Sequence, residues 1–233
     1  MAKAKPTSLF KTIWRKLVFY VLITIVLAIC AVTSLKWIDP ITSSVMLQQN
    51  IKARYYKKPT VDYQWVSWEE LSSQLPLAVV ASEDQRFPLH HGIDFTELRK
   101  VIESGDKRGA STITQQVAKN MFLWQGRSYF RKGLEAVIAP YIDMVWGKQR
   151  VLEVYLNIVY FGGNTYGVGA ASKTFFNKNA AEINRHEAAR MAAVLPSPMR
   201  FSVTNASPYV IKRQNWILAQ MKRLGGTSYI EGL

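Results

Sequence analysis

Cysteine is almost missing from this chain. Cys30 is the single one in 233 residues, so no intramolecular disulfide can form, and its apolar surroundings mark it as a small hydrophobic side chain. There are three histidines, and no Cys/His group has the spacing of zinc ligands, so no metal site is expected. Acids are scarce: 16 Asp and Glu face 30 Lys and Arg, for a formal net charge of +14. No Gly-rich phosphate loop of the GxxxxGK type occurs, and Gly162, Gly163, Gly167 and Gly169 read as a turn. No internal repeat, low-complexity tract or convincing strand pair is seen, which leaves a mainly α reading. A basic chain meets nucleic acid, anionic lipid or a phosphorylated substrate, and composition does not choose among them.

One long hydrophobic run is present. Residues 17–35 carry no charge, and twelve of the nineteen are Leu, Ile, Val or Phe. As a helix they rise about 28 Å, against a hydrocarbon core of about 30 Å. A cleaved signal peptide has a shorter apolar core, so an uncleaved single transmembrane helix is expected. Lys3, Lys5, Lys11, Arg15 and Lys16 precede it, and only Lys36 and Asp39 follow closely. The positive-inside rule makes 1–16 a cytoplasmic basic tail and puts 36–233 outside, in the periplasm of a bacterium, with the anchor in the inner membrane. That placement sets nucleic acid aside. Residues 36–68 read as a juxtamembrane segment without clear periodicity. Their Tyr55, Tyr56, Trp65 and Trp68 beside Lys52, Arg54, Lys57 and Lys58 suit a membrane interface or an ordinary linker equally. Residues 69–233 form one helical domain.

Chemistry concentrates between Arg108 and Glu135. Ser111 or Thr112 can cap a helix on which Thr112, Gln116 and Lys119 share a polar face, while Ile113, Val117 and Met121 face the core; Gly126 is its expected end. Ser128 can cap the next helix, 128–146, which Pro140 should interrupt. Lys119, Arg127, Arg131 and Lys132 crowd its start, where free backbone N–H groups also attract anions. Such a cluster suits a phosphate or diphosphate; a solvated face with Glu135 paired to Arg131 at i+4 is the plainer alternative.

Glu83 is the second unusual carboxylate. The run 75–84, LPLAVVASED, is a helix that delivers Glu83 and Asp84 to its negative end. That place disfavours negative charge and suits a proton acceptor; a salt bridge to Arg86 is the plainer alternative. Further helices are expected at FTELRKVIES, capped by Asp94 and stopped by Gly105, at KQRVLEVYLNIVYF, and at 186–194. A last amphipathic helix is expected at 208–224, with Ile211, Ile217, Leu218 and Met221 on one side.

Five blocks in order then carry a family resemblance. Glu83-Asp84-Gln85-Arg86-Phe87 with His90 and Gly92 matches EDxxFxxHxG, and Gly109 to Asn120 matches GxSTxxQQxxKN. Arg131 to Glu135 matches RKxxE, Lys148 to Asn157 matches KxxILExYLN with Val151 in place of Ile, and Glu187 to Pro198 looks like the fifth block, around an EAAxLAxxPxxP pattern, with Met191 in place of Leu and Pro196 one residue beyond the first Pro position. The chain resembles the peptidoglycan glycosyltransferases, and within them the monofunctional biosynthetic peptidoglycan transglycosylases.

The resemblance implies a lysozyme-like helical glycosyltransferase domain behind the anchor. It implies a peptidoglycan glycan-strand polymerase that passes the growing glycan from undecaprenyl diphosphate to the 4-hydroxyl of lipid II, with inversion. Glu83 would be the general base, and Glu135 would assist departure of the diphosphate, directly or through a cation. Lys119, Arg127, Arg131 and Lys132 would hold the diphosphate. Thr112, Gln115 and Gln116 would bond the donor, Asp84 and His90 would position the base, and Phe87 would complete the substrate site. No cofactor is required by these residues; a divalent cation, Mg²⁺ or Mn²⁺, is the one candidate. Partners would be lipid II, the growing glycan, the membrane and other cell-wall synthesis and division proteins. No KTG occurs and the two SxxK matches, at Ser8 and Ser104, are fortuitous, so peptide cross-linking is not expected. The rival functions are a glycan-cleaving enzyme of the lysozyme type and a non-catalytic scaffold.

Overall fold

Local signals place most of the helices in the computed structural model, which describes residues 9–105, 109, 111–126 and 128–233. The chain divides into two units, the first ending at Ile38 and the second spanning Asp39–Leu233.

The first unit is helix α1, Leu9–Ser34. From Lys11 to Ser34 its mean hydropathy is 2.6, and none of it is buried within the protein. An all-round apolar helix needs a non-aqueous surrounding. Its hydroxyls are satisfied internally, Thr24 donating to Tyr20 O, Thr33 to Ile29 O and Ser34 to Ala31 O. Length, composition and internal bonding fit a single-pass membrane anchor.

The second unit is mainly α. It contains α2 (Ser44–Tyr55), α3 (Gln74–Glu83), α4 (Phe95–Ser104), α5 (Ile113–Phe122), α6 (Tyr129–Trp146), α7 (Lys148–Ile158), α8 (Gly167–Phe176), α9 (Arg185–Val194) and α10 (Pro208–Arg223). Two helices form its centre. In α3 every residue from Leu75 to Ala81 is buried, between α9, α10 and α7. In α7 every residue from Val151 to Ile158 is buried, against α5, α6 and α8. A helix enclosed on all sides shows little amphipathic period, which is why α3 reads as a plain apolar run. The amphipathic α5 instead buries Ile113, Val117 and Met121, as its spacing implies.

Five expectations change. Residues 39–68 belong to the second unit rather than standing apart: Ser43 caps α2, and Val45, Met46 and Ala53 are buried in packing that includes α5. Helix α5 ends at Phe122 instead of Gly126. In α10 the buried stripe is Val210, Gln214, Ile217 and Met221, while Ile211 is exposed, since it lies a full 100° around from Val210. A small sheet exists, ordered β1-β3-β2, from β1 (Asp62–Tyr63), β2 (Tyr160–Gly162) and β3 (Thr165–Tyr166). β1 pairs parallel and β2 antiparallel with β3. Strands this short leave no alternating pattern to read. Helix α6 runs through Pro140 to Trp146 as one element.

Asn157, from a family block, and Gly167, outside the blocks, hold the frame. Asn157 Oδ1 accepts from Val66 N–H, and its Nδ2 donates to Val66 O and Glu153 O, clasping α7 to the segment before it. Gly167 has φ +76°, and a Cβ there would lie 2.4 Å from Asn157 O, so only glycine fits the approach.

Candidate active site

The end of α3 presents Glu83, half-buried. Its Oε1 accepts from Ser82 Oγ at 3.1 Å and stands 3.7 Å from the Arg213 guanidinium of α10. Its Oε2 accepts from Gln116 Nε2 of α5 at 3.3 Å. Arg213 also donates to Ser82 Oγ at 3.2 Å. The alternative pairing of Glu83 with Arg86 gives way, because Arg86 binds Asp94 at 3.0 Å. Asp94 also caps α4 by accepting from Glu97 N–H.

Asp84 does different work. It is buried, and its Oδ2 accepts from Ile113 N–H at 3.0 Å, placing an anion at the positive start of α5. His90 Nε2 lies 3.0 Å from both its carboxylate oxygens. The buried Phe87 meets the His90 ring edge-on. Lys148 donates to His90 O and to Asp143 Oδ1, with its ammonium 4.6 Å from the Phe87 ring centroid. Thr114 Oγ1 donates to the same Asp143 oxygen. Buried and mutually bonded, these groups lock the turn that carries Glu83.

Thr112 and Gln115 form a capping box at the start of α5. Thr112 Oγ1 accepts from Gln115 N–H and donates to Gly92 O at 2.6 Å, and Gln115 Oε1 accepts from Thr112 N–H. Both are buried, and these polar groups are committed to protein partners. Gly92 permits the approach: with φ +79°, a Cβ there would meet Ala139 and Pro140 backbone atoms of α6 within 2.8 Å.

One turn along α5 from Gln116, Lys119 lines a cavity of about 270 Å³ with Val45, Asn120, Trp124, Gln125, Gly126 and Arg131. Burial pushes the Lys119 ammonium pKa down; Glu135 and Glu83 oppose that, and Arg131 and Lys132 reinforce it. Among the described residues no hydrogen bond or ion pair engages this amine. Glu135 is buried, with Arg131 Nη1 2.6 Å from one carboxylate oxygen and Lys132 Nζ 3.0 Å from the other. Lys132 also reaches Ser111 Oγ at 3.1 Å. Among the described residues, Arg131 Nε is buried with no partner. Arg127 lies outside the described residues. Of the apolar side chains along this stretch, Trp124, Tyr129 and Phe130 are exposed, with Trp124 and Phe130 stacked at 6.3 Å, whereas Leu123 is buried and Phe122 packs near Trp146.

The expected residues therefore fall into two groups joined by α5: Glu83 with Gln116, and Lys119 with Arg131, Lys132 and Glu135. Asp84, Phe87, His90, Thr112 and Gln115 support them from beneath. Sequence reading missed Ser82, Asp143, Lys148 and Arg213 as site residues. Lys148 lay inside a matched block; Arg213 carried no local signal at all. A protein-held divalent cation does not fit these residues. Both Glu135 oxygens already accept from cations, and among the described residues no three His, Cys, Asp or Glu side chains converge. A carboxylate open to a hydroxyl, beside a cavity rimmed with cations, can take a proton at one place and stabilise an anionic leaving group at another.

Comparison with known proteins agrees. The transglycosylase family model matches residues 49–222. A protein of Xylella fastidiosa (strain 9a5c) described as biosynthetic peptidoglycan transglycosylase is 41% identical over 224 residues, covering 94% of this chain and 92% of its own. One of Chromohalobacter salexigens with the same description is 43% identical over 224 residues, covering 94% and 96%. One of Pseudomonas entomophila (strain L48), again so described, is 44% identical over 209 residues, covering 87% and 88%. With the five blocks and the helical frame that assembles them, these matches establish that the chain belongs to the transglycosylase family.

Proposed function

We propose that this peptidoglycan glycosyltransferase polymerises glycan strands from lipid II by one inverting displacement. Glu83 takes the proton of the acceptor sugar 4-hydroxyl, and that oxygen attacks the anomeric carbon of the lipid-linked growing chain. The C–O bond to the diphosphate breaks, and undecaprenyl diphosphate leaves with the bonding pair. Lys119 and Arg131 receive its negative charge, with Arg127 and Lys132 as further candidates. Glu135 holds Arg131 and Lys132 in the geometry that meets the diphosphate. Asp84, His90 and Phe87 fix the turn of Glu83, and Thr112 with Gln115 fix the start of α5. No covalent enzyme intermediate is formed.

The observation that carries this reading is the α5 face on which Gln116 bonds Glu83 and Lys119, three residues on, lines the cation cavity. Residues at that spacing are neighbours, about 5–6 Å apart at Cβ. The exposed Trp124, Tyr129 and Phe130 beside the cavity suit a lipid tail. The anchor supports single-pass attachment to the inner membrane, N-terminus in the cytoplasm and active domain in the periplasm. Enzyme and lipid-linked substrate would then share one plane.

Purified full-length protein incubated with labelled lipid II should produce polymer, and Glu83→Gln should slow this about 10³-fold. Shortening of finished glycan strands in place of polymer formation would replace this reading with a cleaving enzyme. Undiminished polymerisation by Glu83→Gln would remove Glu83 as the base.

A further inference from the structure

Tyr155 has no part in the chemistry described so far. It lies on α7 with its side chain fully enclosed, yet it brings a hydroxyl into that interior. A buried hydroxyl is tolerated where it finds a partner. Its partner is Gln116 Oε1, at 3.3 Å. The other end of that amide, Nε2, is the group that meets Glu83 Oε2, also at 3.3 Å. Tyr155, Gln116 and Glu83 thus form a chain of three polar groups from the core to the site.

The chemistry of the three groups fixes its direction. A primary amide has a donor end and an acceptor end, which a half-turn about its last bond exchanges. An ionised carboxylate only accepts, so the donor end must face Glu83. Burial, then the negative charges of Glu83 and Asp84, push the Tyr155 pKa well above its ordinary value. The hydroxyl therefore keeps its proton and presents a donor to the amide oxygen. Turned the other way, the amide would set its oxygen against the carboxylate.

We infer that Tyr155 is a positioning residue for glycan transfer: its hydroxyl holds the Gln116 amide with the NH₂ end toward Glu83, and so keeps Glu83 Oε2 aimed at the incoming hydroxyl. This rests on Glu83 being the base. Oε2 accepts one bond from Gln116 and keeps a lone pair for the substrate proton, whereas Oε1 is taken up by Ser82 Oγ and the nearby Arg213. Losing the hydroxyl frees the amide to turn, and the base loses its aim without losing its charge.

The test is a double-mutant cycle in the full-length chain, with Tyr155→Phe, Gln116→Ala and the pair, read as steady-state polymerisation of labelled lipid II. Phenylalanine keeps the ring that fills the core. All variants are compared about 10 °C below the melting temperature of the least stable one, so that a lowered Tm does not masquerade as a lowered rate. Tyr155→Phe should lower kcat about tenfold with KM unchanged within about twofold, and the double variant should be no slower than Gln116→Ala alone within about twofold. A wild-type kcat for Tyr155→Phe, or a double variant whose loss is the product of the single losses, overturns the inference. Glu83→Gln runs alongside. If it polymerises normally, the base assignment falls and this inference with it; if it is inactive and the cycle is multiplicative, only the role of Tyr155 falls.

Discussion

Two glutamates, presented by different helices, show how one residue type can be prepared for two tasks. Glu83 ends α3 and keeps 15% of its side chain exposed, with neutral donors from Ser82 and Gln116 and a guanidinium standing off at 3.7 Å. Glu135 lies within α6 with 4% exposed, and each oxygen is in close contact with a cation. The first retains room and a lone pair for an incoming proton. The second is nearly enclosed with a cation against each oxygen, and its value lies in where it holds Arg131 and Lys132. The carboxylate that looks more strongly engaged is thus the less suited to proton transfer, because a base must be reachable and free of a bound cation at the atom that reacts.

Substitution at the two positions should separate those tasks. Glu83→Gln should cost about 10³-fold in kcat while shifting stability by less than about 0.5 kcal/mol, read by polymerisation and thermal melting. Glu135→Gln should cost about 10²-fold in kcat/KM and also about 2 kcal/mol of stability, since it leaves Arg131 and Lys132 without their carboxylate. Equal losses of stability at the two sites would erase the contrast.

Lys119 belongs to both neighbourhoods and sharpens the comparison. Lys119→Met should lower kcat/KM about tenfold while raising stability by about 0.5 kcal/mol, because the half-buried ammonium is no longer desolvated. Its depressed pKa sets the sign with pH. As pH rises through the lowered value toward that of an ordinary lysine, the unfolded chain holds more protons than the folded one, so the wild-type protein gains stability in that window. Melting the variant across the same alkaline range should show that gain missing.

The smallest effect is expected away from the site. Glu187 closes a capping box with Asn184 and binds Lys178 at 2.6 Å. Burial works to raise its pKa, but Lys178 and the Asn184 N–H outweigh it and hold it low. Its stabilisation is therefore present above the ordinary carboxylate pKa and lost as pH falls through the depressed one. Glu187→Gln should cost about 0.5–1 kcal/mol at neutral pH, a deficit that shrinks in acid, with polymerisation unchanged within about twofold. A deficit that persists in acid would assign the effect to packing.

Much of the site was legible because its signals were local. The pairing of Arg131 with Glu135 follows from four-residue spacing, and the caps at Thr112, Asp94 and Ser128 follow from short polar side chains before helical runs. The block pattern also picked out Asn157 and Glu187, although it could not say that one clasps a neighbouring segment and the other caps a helix. Helix α2 was not legible, because its apolar residues are few and its outer face mixes Leu47, Ile51 and Tyr55 with cations.

By itself the sequence determined the long apolar first helix, the helical character of the domain and the family blocks that hold the candidate site residues, all properties of short stretches of chain. Tertiary structure alone decided that Arg213 of the last helix stands by Glu83, that Asp84 receives the first N–H of α5, and that a core tyrosine reaches Glu83 through Gln116. Those contacts join residues far apart in the chain. Their geometry is set by how α3, α5, α7 and α10 pack, and no local pattern encodes that packing.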